Sequence, residues 1–117
     1  MGSTLRDPEC VFCKIVDKQI PSKIVVEDDN YVAIRDVNPQ APVHILILPR
    51  EHAEDITKMD DPTLLGTLFK AASSIADVEG LKNGFRLVVN TGSESGQSVF
   101  HLHIHLLGGR PMRWPPG

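Results

Sequence analysis

The chain has 117 residues, enough for a single hydrophobic core and too few for two domains. Its 41% hydrophobic and 23% charged residues are ordinary for a globular chain, and a net charge of −3 without any basic block gives no reason to expect a nucleic acid as partner, while leaving a nucleotide open as a small molecule. No apolar run approaches the roughly 20 residues that span a bilayer, and the first nine residues lack a basic-then-apolar leader, so an intracellular protein without membrane contact is expected.

Met1-Gly2-Ser3 is not a lipidation start, because Arg6 stands where that motif needs Ser or Thr. Residues 1–9 are read as a flexible N-terminus. Within them Asp7-Pro8 offers a cap and a first-turn proline for a short helix carrying Val11, Phe12, Ile15 and Val16 on one side and stopped before Pro21. Cys10 and Cys13 are too few and too close for a secreted disulfide framework. They read as a metal pair, a redox pair or apolar helix residues.

Residues 22–27 and 31–37 form two aliphatic, β-branched runs joined by Asp28-Asp29-Asn30, a predicted hairpin whose second strand puts Val32, Ile34 and Asp36 on one face. After the turn Asn38-Pro39-Gln40-Ala41-Pro42, a third strand over 43–48 directs Val43, Ile45 and Ile47 one way and His44, Leu46 and Leu48 the other. Ile34 and Leu46 suit a flat base, and Asp36 is placed to reach a sugar hydroxyl or, equally, to start the turn.

Asp61-Pro62 opens a long helix whose apolar stripe, from Leu64 to Ala76, is core and which Gly80 ends. A fourth strand is predicted over 85–90, with Arg86, Val88 and Asn90 on one side. The loop over 91–98 follows, and Gly96, Gln97 and Ser98 could cradle an anion on backbone N–H groups, with the Ser98 hydroxyl able to deliver a proton.

Residues 101–107 alternate strictly: His101, His103 and His105 on one face, Leu102, Ile104 and Leu106 on the other. Same-face neighbours on a strand lie about 6.5–7 Å apart, a spacing that lines a phosphate-sized site. A lone histidine is usually a surface or hydrogen-bonded core residue, but three of the chain's five histidines between bulky aliphatics are hard to explain as packing. The tail, 110–117, holds three prolines and the only tryptophan, Trp114, and an extended arm of this kind is expected to dock. Five strands with one short and one long helix, not alternating, give an α+β domain on a largely antiparallel sheet.

The run His101-Leu-His-Ile-His-Leu-Leu107 resembles the signature of the histidine triad (HIT) superfamily. Asp36, the Asn38-to-Pro42 turn, His44, Asn90, Gly96-Gln97-Ser98, Gly108-Gly109-Arg110 and Trp114-Pro115-Pro116-Gly117 are similar to its Hint branch. The resemblance spans nearly everything from Cys10 onward. It implies a HIT-like domain over 10–109, a homodimer built on one ten-stranded sheet, and a tail that docks near the active site.

The activity it implies is hydrolysis of purine nucleoside phosphoramidates and aminoacyl-adenylates to AMP or GMP; the expected location is the cytoplasm, with the nucleus left open. It makes His103 the nucleophile, His105 a phosphate contact, His101 an orienting residue and His44 a fourth site histidine. Asn90, Gly96, Gln97 and Ser98 would hold phosphate oxygens, Asp36 the ribose, and Phe12, Ile15, Ile20, Ile34, Val37 and Leu46 the base, with Trp114 approaching the partner's site. Catalysis would need no cofactor. Cys10 and Cys13, with His52 and His101, match the Cys₂His₂ set that zinc-binding relatives use for a structural ion. Two other readings stay open: a dinucleoside polyphosphate hydrolase, against which the short chain and its ending argue, and a nucleotide-binding regulatory module with vestigial activity.

Overall fold

A computed structural model describes residues 5–117. Five strands form one antiparallel sheet in the order β1-β2-β3-β5-β4: β1 (Ile24–Glu27), β2 (Tyr31–Arg35), β3 (Val43–Pro49), β4 (Phe85–Val88) and β5 (Ile104–Gly108). The long helix α2 (Pro62–Val78) covers one face, and the short helix α1 (Val11–Val16) covers the other. Among the described residues, no helix is long and apolar enough to cross a membrane.

The period of β3 decides which side carries chemistry. Ile45 and Ile47 pack with Leu68, Ala72 and Leu106 under α2, while Leu46 and Leu48 pack with Phe12, Ile15 and Val16 under α1. His44 falls on the α1 face by the same alternation. Asp61 caps α2 by accepting from Thr63 N–H and Leu64 N–H, with Pro62 in the first turn, as the sequence predicts. At Gly108 a Cβ would meet the end of the Leu81 side chain, so glycine lets that leucine pack directly on the end of β5.

Several elements have boundaries that differ from the sequence reading. α1 is capped by Cys10, whose sulfur accepts from Cys13 N–H, because Asp7 is used in a turn of its own: its carboxylate takes Glu9 N–H and its carbonyl takes Cys10 N–H. β5 begins at Ile104 rather than His101. Its ladder with β3 ends at the Ile47–Ile104 pair, β3 closes on a proline that has no N–H to donate, and Leu102 N–H turns instead to Ala53 O at 2.7 Å. β1, β2 and β4 are each two residues shorter than predicted, with Asp36 beyond the end of β2 and Asn90 beyond that of β4.

Of the stretch read as a flexible N-terminus, residues 1–4 lie outside the described residues. From Leu5 onward it is tied down: His52 N–H donates to Leu5 O, and Arg6 reaches Asp17 and the carbonyl of Arg50.

Candidate active site and metal cage

A cleft of about 550 Å³ opens on the α1 face. Phe12 and Ile15 from α1, Ile20 after it, Ile34 from β2 and Leu46 from β3 make its apolar wall, with Val37 nearly fully exposed at the rim. Asp36, His44, Ser98, His103 and His105 supply its polar groups. The cleft also includes Val11, Pro21, Ser22, Arg35, Asn38, Gln40 and Val99, which sequence reasoning left out. Most of these are loop residues whose types carry no periodic signal.

Asn90, Gly96, Gln97 and Trp114 are not among the cleft's lining residues. The Gln97 side chain is spent inside its loop, accepting from Gly92 N–H and donating to Glu54 O and Val99 O. Gly96 takes the left-handed conformation at φ 88° that ends the short 3₁₀ turn Ser93–Ser95. Trp114 is 82% exposed and lies by Arg86, whose guanidinium sits 5.9 Å from its ring and donates to Arg113 O.

The three triad histidines do not share one site. His101 is fully buried and turns its ring away from the cleft, donating Nε2–H to Pro49 O at 2.9 Å. Its backbone is what serves His103: His103 Nδ1–H donates to His101 O at 2.7 Å. Once Nδ1 carries the proton, Nε2 of the neutral ring holds a lone pair. Burial keeps His103 neutral by pushing its pKa down, against the opposing pull of the His101 carbonyl.

The hydrogen bonds likewise set the tautomers of the other pair. His44 Nδ1 accepts from Gln40 N–H at 3.0 Å, so the His44 proton is on Nε2, and that N–H donates to His105 Nδ1 at 2.9 Å. The proton of His105 is therefore on Nε2. Asp36 sits 3.4 Å from His44 Nε2 and resists the fall in His44 pKa that burial causes. His105 is held down to about 4, first by burial and then by the neighbouring His103 and His44 rings. The donors of Asp36, His44 and His105 also cluster within 4.8 Å, but His44 turns a hydrogen toward the others, which suits a hydrogen-bond chain and not a metal.

These shifts tie stability to pH. An unfolded histidine titrates near 6.5 and the folded His105 near 4, so the unfolded chain binds more protons between those values. The stabilisation is fully present above about pH 6.5 and is lost as pH falls toward 4. Thermal unfolding at neutral pH and near pH 5 should show a lower midpoint in acid, and an unchanged midpoint would contradict neutral burial of the His44–His105 pair.

His101 Nδ1 faces a second cluster. It lies 3.4 Å from Cys10 Sγ, 3.6 Å from Cys13 Sγ and 3.3 Å from His52 Nδ1, with Cys13 Sγ 3.4 Å from His52 Nδ1. Zinc bound tetrahedrally at ~2.0–2.1 Å to nitrogen and ~2.3 Å to sulfur puts neighbouring donors about 3.3–3.8 Å apart, so all four separations fit. The outer contacts fit as well. The Nε2–H groups of His101 and His52 point to Pro49 O and, at 4.0 Å, to Asp7 Oδ2, which leaves both Nδ1 lone pairs for an ion. Both sulfurs accept backbone N–H groups, from Cys13 and Asp7. Burial pushes the Cys13 thiol up to about 11, so a thiolate there needs a cation beside it. The four residues can hold structural zinc.

Known proteins are similar to this chain over most of its length. Residues 17–112 match the HIT domain. The adenylylsulfatase HINT1 of Arabidopsis thaliana is 46% identical over all of this chain and 82% of its own length. A 14 kDa zinc-binding protein of Zea mays is 47% identical over 97% of this chain and 91% of its own. Among solved structures, a HIT family hydrolase from Legionella pneumophila superposes with a TM-score of 0.91 at 48% identity, covering 93% of this chain and 100% of that one. With the domain match over most of the chain and relatives of this similarity, the chain belongs to the HIT family, in its Hint branch.

Proposed function

We propose that the chain hydrolyses purine nucleoside phosphoramidates and aminoacyl-adenylates, releasing AMP or GMP through a nucleotidyl-histidine on His103. The observation that carries this reading is the His103 hydrogen bond to its own chain: with Nδ1–H spent on His101 O at 2.7 Å, the ring is buried, neutral and nucleophilic at Nε2. The apolar wall from Phe12 to Leu46 takes the base and Asp36 the ribose hydroxyls.

In the first step His103 Nε2 attacks the α-phosphorus. With a phosphoramidate an N–P bond forms, the bond to the leaving amine breaks, and the amine departs with a proton relayed from solvent through the Ser98 hydroxyl; with an aminoacyl-adenylate a P–O bond breaks instead and the amino acid leaves as its carboxylate, without that proton. The imidazolium so formed keeps its Nδ1–H on the His101 carbonyl, and His105 Nε2–H donates to a phosphoryl oxygen. Water then adds to phosphorus and breaks the N–P bond, its proton passing to solvent, which releases the monophosphate and restores neutral His103. Gly96 and Gln97 shape the loop that presents Ser98, and Asn90 is proposed to hold a phosphate oxygen. The names of the Legionella and Arabidopsis proteins, a hydrolase and an adenylylsulfatase, support the reaction class and the adenylyl group.

Product chromatography with adenosine phosphoramidate, adenylyl sulfate and diadenosine triphosphate tests this directly. AMP is expected fastest from the phosphoramidate. Preference for diadenosine triphosphate would favour the polyphosphate hydrolases, and tight nucleotide binding without product would favour a regulatory module. For Asp36, hydrogen bonds to a charged acceptor contribute about 1.5–3 kcal/mol, so Asp36→Asn should raise KM roughly tenfold or more and cease to distinguish a ribose from a 2′,3′-dideoxyribose substrate. A variant that still discriminates as the wild type does would remove Asp36 from the ribose.

We also propose a homodimer in which β4, an edge strand in the order β1-β2-β3-β5-β4, meets its counterpart and Trp114 approaches the partner's cleft. Light scattering should give twice the chain mass, and a monomer at micromolar concentration would contradict it.

A further inference from the structure

His103 sits on a segment that the β-ladder does not hold. The last pair between β3 and β5 is Ile47 with Ile104, and residues 101–103 run on beyond it. Three ties replace the ladder there: Leu102 N–H to Ala53 O, His101 Nε2–H to Pro49 O, and His101 Nδ1 against the sulfurs of Cys10 and Cys13 and the ring of His52. Two of the three run through His101. The same residue's carbonyl accepts the Nδ1–H of His103.

A second link reaches His103 from α1. Phe12 lies between the two cysteines in sequence, and its ring stands edge-on to His101 at 5.9 Å and to His103 at 5.0 Å. Any shift of the cysteines moves the aromatic edge that confines both imidazoles. The other pair is held differently: His105 lies within β5 opposite Leu46, and His44 takes Gln40 N–H. Nothing in that chain of bonds passes through Cys10, Cys13 or His52.

We propose that the Cys10, Cys13, His52 and His101 cage is a positioning device for His103, and not only a staple for the fold. With zinc bound, it clamps residue 101 and, through that residue's carbonyl and through Phe12, keeps His103 in the Nδ1–H tautomer with its Nε2 lone pair available to the cleft. The kinetic consequence rests on His103 being the nucleophile, whereas the effect on its tautomer does not. Stripping zinc releases His103 selectively: its ring becomes a mixture of tautomers while His44 and His105 keep theirs. A cage that served stability alone would leave the His103 tautomer as it was in any protein still folded.

The test is a set of ¹⁵N–¹H spectra of the histidine side chains of the full chain in reducing buffer: loaded with zinc, stripped with a chelator, and reloaded with zinc alone. Far-UV circular dichroism establishes that the stripped protein is folded at the temperature used. Expected are one Nδ1–H tautomer for His103 when loaded, a mixed or exchange-broadened signal when stripped, recovery on reloading, and a single retained tautomer for both His44 and His105, although the His105 shift moves with the ring beside it at 4.9 Å. Phe12→Leu, which keeps all four cage ligands, provides the same reading where stripping unfolds the chain: one zinc per chain retained, with the His103 tautomer mixed.

An unchanged His103 signal in stripped protein would overturn the proposal. So would equal changes in His103 and the His44–His105 pair, or a failure to take up zinc. Stripping should also lower kcat at least about tenfold while KM for adenosine phosphoramidate moves less than threefold. If the loaded protein cleaves no phosphoramidate, the hydrolase reading fails, and the spectra still decide the positioning.

Discussion

Replacing His103 by alanine is expected to lower kcat/KM for adenosine phosphoramidate by about 10⁴-fold or more, a loss of roughly 5.5 kcal/mol of transition-state stabilisation. The size of the effect follows from the role. A nucleophile splits one difficult displacement at phosphorus into two easier ones, and no other group in the cleft presents an unshared lone pair on a neutral buried ring. Phe12, Ile15, Ile34, Leu46 and Asp36, which line the cleft and are proposed to take base and ribose, are untouched, so AMP affinity in the variant should stay within about threefold of wild type by calorimetry. His44→Ala should cost less, about 10²-fold in kcat, because it frees His105 to choose its tautomer without removing the attacking atom. A loss below about tenfold in His103→Ala, or equal losses in the two variants, would contradict nucleophilic catalysis.

The second large effect is on stability. Cys10→Ala together with Cys13→Ala removes both sulfurs of the cage, and the protein is expected to lose its zinc. A ligand present at 100 to 1,000 times its dissociation constant stabilises the native state by about 2.7–4.1 kcal/mol. At roughly 3–6 °C per kcal/mol for a chain of this size, the unfolding midpoint should fall by about 10–20 °C relative to zinc-loaded wild type. The site joins segments far apart in the chain, α1 to the residues after β3 and before β5, so losing it unties the face that bears the cleft. A double variant melting within about 2 °C of the loaded wild type would show that no ion is held there.

Much of this was legible in the sequence because it follows from periodicity. The alternation from Val43 to Leu48 placed His44 and Leu46 on the cleft side, and Asp61-Pro62 located the start of α2. The histidine run also alternates as read, with Leu102, Ile104 and Leu106 in the core, although only the part from Ile104 onward pairs as a strand. The signal for that early stop was present in Pro49, whose missing N–H denies the ladder another bond.

What was not legible comes from the backbone and from loops. Residue type cannot show that the His101 carbonyl, and not its ring, orients His103, or that Gln40 N–H fixes the proton on His44. Nor does it show that Cys10 would take the cap expected of Asp7, since that depends on Asp7 closing a turn on Glu9 and Cys10. Pro21 and Ser22 enter the cleft only because the loop after α1 folds over its rim.

The most direct measurement is an alkaline denaturing quench, which preserves an N–P bond to imidazole, of the zinc-loaded protein during turnover of adenosine phosphoramidate, with intact mass analysis and mapping of the modified peptide. Covalent catalysis predicts an adenylyl group on the peptide containing His103, formed and lost at rates that match turnover and absent from His103→Ala. AMP released at the full rate with no adduct at any quench time, or an adduct that persists in His103→Ala, would contradict it.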